Sequence, residues 1–310
     1  MDSRSARFGP WLGGGILLGL VALMVVVASV RGTVVAGRPV ASPVPTPPEP
    51  GDCLLENPFD GEFGGYVIEE NGALPVWRTG ECDGARFGEV VSIGAGVDLE
   101  ASFQDGSWER CWNDASDYLG LPDPATDGVH RVPDVNLVTA LIGPDLRQGA
   151  AGQDWAACVV LLAWFDTGAA LTVDHSLLNA WGRAADRRLL ALCLSDDKLH
   201  YPVDCRERHG VEQLSSWPGD PAGLGPLDVD ACRQDAVVAL GSPAALDRGE
   251  LTAVAQPTRW SDRTGQQITG PDAVSADQPY WISCLLVPTD PARTLVGPLR
   301  DLGDAPVPLG

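Results

Sequence analysis

The chain has 310 residues, 45% hydrophobic and 20% charged, which fits about two globular domains and excludes a disordered polymer. Its 21 basic and 42 acidic residues give a formal net charge of -21, and setting aside the first 50 residues, with four arginines and two acids, deepens it to -23. A surface of that sign repels nucleic acid and anionic lipid headgroups, so no nucleic-acid partner is expected.

Residues 1–10 form a short tail carrying Arg4 and Arg7. Residues 11–30, WLGGGILLGLVALMVVVASV, contain no charged residue. Twenty helical residues span about 30 Å, the thickness of a bilayer's hydrocarbon core. A secretory signal has an apolar core of only about 7–15 residues, and no A-x-A cleavage site follows here. Trp11 to Val30 therefore reads as an uncleaved transmembrane anchor. Eight cysteines and a large acidic region lie beyond it and suit an oxidising space. That places the N-terminus in the cytoplasm and the bulk outside the cell membrane. Residues 31–50 are a linker, and PVASPVPTPPEP at 39–50 holds six prolines in twelve positions. Such a segment favours polyproline II and predicts a semi-rigid stalk.

Beyond the stalk the chain repeats itself. CWNDASDYLGLP, from Cys111, and CRQDAVVALGSP, from Cys232, agree at six of twelve positions. Around them IGPDL (142–146) answers TGPDA (269–273), and WAACVVLL from Trp155 answers WISCLLVP from Trp281. Cys82 lies seven residues ahead of Glu89 as Cys205 does of Glu212, and LLNAWG closing at Gly182 answers PLRDLG closing at Gly303. Two tandem modules follow, at 51–183 and 184–310, each with four cysteines.

Within the repeated phrase Cys111, Ala115, Tyr118 and Leu119 share one helical face, and Cys232, Ala236, Ala239 and Leu240 repeat it. Gly120 and Gly241 then end the helix, with Pro122 and Pro243 preventing its resumption. VVLLAWF (159–165) and LLALCLS (189–195) read as buried strands. One helix on a small sheet per copy gives an α+β fold of two disulfide-stapled modules. With bonds confined to each copy, nine pairings are open. A helix cysteine aimed inward meets the Trp–x–x–Cys strand cysteine, giving Cys111–Cys158 and Cys232–Cys284 and leaving Cys53–Cys82 and Cys193–Cys205.

Gly51–Asp52–Cys53–Leu54, Cys82 with Glu89, a helix cysteine followed by Leu–Gly, and Trp–x–x–Cys come in an order that resembles the septum formation family of actinobacterial membrane-anchored proteins. The near absence of lysine (Lys198 alone) suits such a source. The resemblance implies a short cytoplasmic tail, one anchor, a stalk and an extracytoplasmic domain, here in two copies. It implies a link to cell division or envelope assembly and no reaction. The family's Cys–x–x–Pro–His–Asp–x–Glu run is degraded: CDGARFGE from Cys82 keeps Glu89, and CRERHGVE from Cys205 keeps His209 and Glu212. Those three residues are the binding candidates.

Other chemistries are weaker. Cys193, His200, Cys205 and His209 have zinc-ligand side chains, yet Arg86 stands where His209 does in the other copy. Asp174–His175–Ser176 are adjacent, but neighbours rarely point at one another, and no G-x-S-x-G elbow occurs. Asp114 and Asp235, each three residues after a helix cysteine, read as local hydrogen-bonding or solvated positions. No catalytic residue, metal site or cofactor is expected. The reading is a non-catalytic binding or scaffold protein whose partner is an envelope or division protein or a wall component. A wall hydrolase using carboxylates is the alternative.

Overall fold

The structure, a computed structural model, describes residues 43–57, 76–95, 107–123, 131–164, 169–196, 201–218, 229–260, 267–269, 273 and 280–310. The chain divides into Met1–Val44, of which only Pro43 and Val44 are described, and a compact unit Pro45–Gly310. The expected tail, the anchor at 11–30 and the linker up to residue 42 lie outside the described residues. No helix among the described residues is long and apolar enough to cross a membrane.

The first copy contributes β1 (Cys53–Leu54), β2 (Thr79–Gly80), β3 (Gly88–Ala95), α1 (Ser107–Leu119), β4 (Val132–Pro133), β5 (Val138–Ile142), α2 (Leu146–Ala150) and β6 (Trp155–Leu161), then a small pair, β7 (Ala163–Trp164) and β8 (Ala169–Ala170). A 3-10 turn at Ala180–Gly182 and α3 (Ala184–Leu189) lead into the second copy. It comprises β9 (Leu192–Leu194), β10 (Pro202–Val203), β11 (Val211–Pro218), α4 (Val229–Leu240), α5 (Ala244–Asp247), β12 (Leu251–Trp260), β13 (Gln267–Thr269) and β14 (Trp281–Pro288). The first sheet runs β2-β1-β3-β6-β5 and the second β10-β9-β11-β14-β12-β13, all antiparallel, so the fold is α+β and the topology is written twice.

The helices form where the apolar spacing places them. Cys111, Ala115 and Leu119 are buried in one cluster with Cys158 and Val160, and Cys232, Ala236 and Leu240 in another with Cys284 and Leu286. Gly120 and Gly241 adopt φ of 70° and 75°, a left-handed turn that side chains with a Cβ resist. Four disulfides join Cys53–Cys82, Cys111–Cys158, Cys193–Cys205 and Cys232–Cys284, so each helix is bound to the central strand beneath it.

A β-bulge repeats too. Register shifts between Val90 and Ser92 on β3, and between Gln213 and Ser215 on β11. The extra residue turns two consecutive side chains toward the helix. Val91 and Leu214 enter the helix-side cores, and Ser92 and Ser215 donate to Asp114 and Asp235 at 2.5 and 2.6 Å. The two helix aspartates are therefore local hydrogen-bond acceptors in both copies.

Three matches read from the sequence change in the structure. The Gly–Pro–Asp echo does not mark equivalent places: Cys158 faces Leu141 on β5, but Cys284 faces Ala255 on β12, because a β12–β13 hairpin precedes the second triplet. Asn179 and Asp301 share φ of 55°, which aligns Leu177 with Leu299 and shifts the closing motifs by one residue. Trp155 is buried, whereas Trp281 is 42% exposed at the start of its strand.

The copies are joined rather than strung. β4, from the first, pairs with β11 of the second, and Val135 bridges Ala191. The last part of the proline-rich segment is joined as well. Pro48 is buried, the Pro45 carbonyl accepts from Gln153 Nε2 at 2.8 Å, and that of Thr46 accepts from Gln148 Nε2 at 3.2 Å. An extended proline-rich backbone has no internal hydrogen bonds, so its carbonyls are open to such donors.

Candidate functional site

Glu89 and Glu212 sit at the same register, opposite Val160 and Leu286, and neither is exposed to solvent. Each accepts from the backbone of the segment that closes its copy: Leu177 N at 2.9 Å and Leu299 N at 2.6 Å. They act as internal anchors for that segment. The surroundings then diverge. Glu89 is paired with Arg86 Nη1 at 2.7 Å and accepts from Tyr118 and Ser176 hydroxyls at 2.9 and 3.1 Å. Glu212 faces Arg300 at 3.9 Å, and burial raises its pKa while lowering that of Arg300. His209 occupies the position of Arg86. It is fully buried, its Nδ1 is 2.8 Å from the Glu207 carbonyl, and burial lowers its pKa. Full burial keeps Glu89, His209 and Glu212 from touching a ligand at the surface.

The zinc reading loses its thiolates. Cys193 and His209 come close to Glu212, but Cys193 is bonded to Cys205, and a disulfide sulfur is not the thiolate that zinc takes. His200 lies outside the described residues. The Asp174–His175–Ser176 run brings neighbours together after all, though not as a triad. His175 Nδ1 meets Asp174 at 2.8 Å and Nε2 meets Asp186 at 2.7 Å, while Ser176 Oγ is engaged by Glu89. The two carboxylates raise the pKa of His175, Asp174 contributing most. An imidazole held at both nitrogens by acids has no site left to take a proton from a serine.

A cleft of about 900 Å³ lies at the junction of the copies. Its walls come from α4, the end of β11, the first copy's residues around β4 and the 3-10 turn, and from α3 and the Arg300–Asp301 segment of the second copy. Trp181 and Trp217 line it, each held by a guanidinium over its ring: Arg300 at 5.0 Å and Arg131 at 5.8 Å from the centroids. Arg131 Nε pairs with Asp235 at 2.7 Å, and Arg187 grips Asp301 with two bonds, at 2.8 and 2.9 Å. Arg300 is almost wholly buried and donates to the carbonyls of Asp134 and Leu214, tying the wall to both copies.

Comparison of the copies explains why the cleft lies where it does. Tyr118 of α1 corresponds to Ala239 of α4. In the first copy the tyrosine fills the space above the glutamate and reaches its carboxylate. In the second, alanine stands at that position, Arg300 comes within 3.9 Å of the glutamate instead, and Ala239 and Arg300 both line the cleft. Trp217 likewise stands where β3 has Gly94, by the shared cysteine register. Of the residues weighed for chemistry in the sequence, only Asp235 reaches this site, beside Ala239 and Pro122, which were read as helix-face and helix-stop positions. Trp181, Trp217, Arg131, Arg187, Arg300 and Asp301 were not singled out. Their signal is the difference between the copies, which becomes readable only once the register is known.

Behind the cleft, Asp134 accepts from Gln213 Nε2 at 2.8 Å and Ser216 Oγ at 2.9 Å, and burial raises its pKa from 3.8 to about 6. The folded protein holds this proton more tightly than the unfolded chain. Stability from this group is full below about pH 4 and declines as pH rises through about 6, a loss on the order of 3 kcal/mol. Asp134→Asn is expected to flatten the urea-midpoint profile between those pH values, and an unchanged slope would remove Asp134 as its source. No family model, no curated protein and no solved structure matches the chain.

Proposed function

We propose that the protein is a membrane-anchored, extracytoplasmic binding or scaffold protein of septum formation or envelope assembly, and that its ligand occupies the cleft between the copies. The cleft carries this reading: a concave, largely apolar site with two fixed indoles and a few convergent polar groups is the usual form of a binding site. The anchor and the septal setting rest on the uncharged run at 11–30 and on the cysteine-motif resemblance. The hydrolase alternative draws no particular support, since Asp235 and Asp301 are each engaged by an arginine.

The test is in-cell photocrosslinking from Val238, which lines the cleft and is 81% exposed. A septal or envelope component should be captured by the parent protein and lost in Ala239→Tyr, which restores the first copy's bulky residue. Equal capture by both proteins would place binding elsewhere, and no envelope component above background would refute the role.

A further inference from the structure

The chemistry of the cleft narrows the class of ligand, and this step rests on the cleft being a binding site. Two of its charges of each sign are already matched, Arg131 with Asp235 and Arg187 with Asp301. A charged ligand would have to compete with these pairs, and an anionic one would also meet the acidic surface of a protein of net charge -21. The pairs are not sealed off, however. The side chains of Arg131 and Asp235 keep 22% and 17% of their surface, and those of Arg187 and Asp301 keep 27% and 23%.

Any molecule filling the cleft displaces water from these four groups. It must return hydrogen-bond donors to the carboxylates and acceptors to the guanidiniums, while laying apolar surface on Trp181 and Trp217. A carboxylate has about four acceptor sites; Asp301 gives two to Arg187, and Asp235 serves Arg131 and the Ser215 hydroxyl. A proline-rich peptide, which an indole- and proline-lined cleft also suggests, brings carbonyl acceptors but few N–H donors. It would desolvate Asp235 and Asp301 without replacement. A pyranose meets every demand: its hydroxyls donate and accept, and its C–H face packs on an indole. We propose that the cleft binds a short neutral oligosaccharide, with the half-buried Trp181 and Trp217 giving apolar contact through the ring surface that their guanidinium and core neighbours leave uncovered, and the Arg131–Asp235 and Arg187–Asp301 pairs reading its hydroxyls.

The full chain in lipid nanodiscs, which avoid sugar-based detergents, would be titrated with tetra-N-acetylchitotetraose and cellotetraose, following tryptophan fluorescence. The same titration would use a polyproline decamer and tetragalacturonate. At least one neutral tetrasaccharide should bind with submillimolar affinity that changes little between 50 and 500 mM salt, roughly as expected where ion pairing contributes little. Trp217→Phe should weaken it severalfold, and Ala239→Tyr, which crowds the space Arg300 occupies, at least about tenfold, with melting temperatures recorded so that Trp217→Phe carries the test if Ala239→Tyr destabilises the fold. Binding of neither neutral sugar overturns the saccharide assignment, as does preference for the decamer or the anionic sugar. If Val238 crosslinking still captures an envelope component in that case, the cleft remains the binding site and only its ligand class is wrong.

Discussion

Glu89→Gln is expected to cost about 3–5 kcal/mol, the usual penalty for breaking one side of a buried ion pair. The neutral side chain leaves Arg86 without its charge partner, and one amide oxygen cannot serve Arg86, Tyr118, Ser176 and Leu177 N together. The same substitution in the second copy should cost much less, about 1–2 kcal/mol. A glutamine at 212 can still accept from Leu299 N, and Arg300 stands 3.9 Å away with other bonds to Asp134 and Leu214 carbonyls. Burial already disfavours the ionised form of Glu212, so replacing it with a neutral amide relieves part of that cost. Urea unfolding of the oxidised protein at pH 7 would measure both variants. Equal losses would mean that the two glutamates do the same work and that the divergence around them is without energetic consequence.

Removing Cys232–Cys284 by paired alanine substitution should be more damaging than removing Cys193–Cys205. By loop entropy, a bridge closing 52 residues stabilises by about 4 kcal/mol, against about 3 kcal/mol for the 12-residue Cys193–Cys205 loop. The larger bridge also fixes α4 to β14, and α4 forms one wall of the cleft. Its loss is expected to lower the melting temperature more than loss of Cys193–Cys205 and to weaken ligand binding as well. A larger drop from the Cys193–Cys205 deletion would contradict the ordering.

The parts of the fold that were legible in the sequence are those written twice. Inward cysteines at helical spacing, the glycine stops and the helix-to-strand bridges all follow from periodicity and chain geometry, and the structure has them. The burial of Glu89 and Glu212 was not legible, because a glutamate in a polar run looks the same whether it is solvated or anchoring a loop. Trp281 differs from Trp155 in burial for a related reason: a motif match does not say which end of a strand is covered. The cleft was the least legible feature. It arises from Ala239 in place of Tyr118 and Trp217 in place of Gly94, and from arginines brought together across the copies, such as Arg131 and Arg300. Such features depend on three-dimensional juxtaposition, and no local pattern encodes it.

The disulfides carry one more consequence. Each cysteine is bonded to its immediate neighbour in the sequence: first to second, third to fourth, fifth to sixth, seventh to eighth. A chain whose cysteines enter an oxidising space in sequence order, from the anchor side onward, never offers more than two unpaired thiols if each bond closes before the next cysteine arrives. Every newly delivered even-numbered cysteine then has a single correct partner waiting, with no competitor from the other copy. Fifteen pairings for six thiols, or 105 for eight, are open only to a chain oxidised all at once. Directional delivery would thus supply information that the repeated sequence, with its near-identical cysteine environments, otherwise lacks.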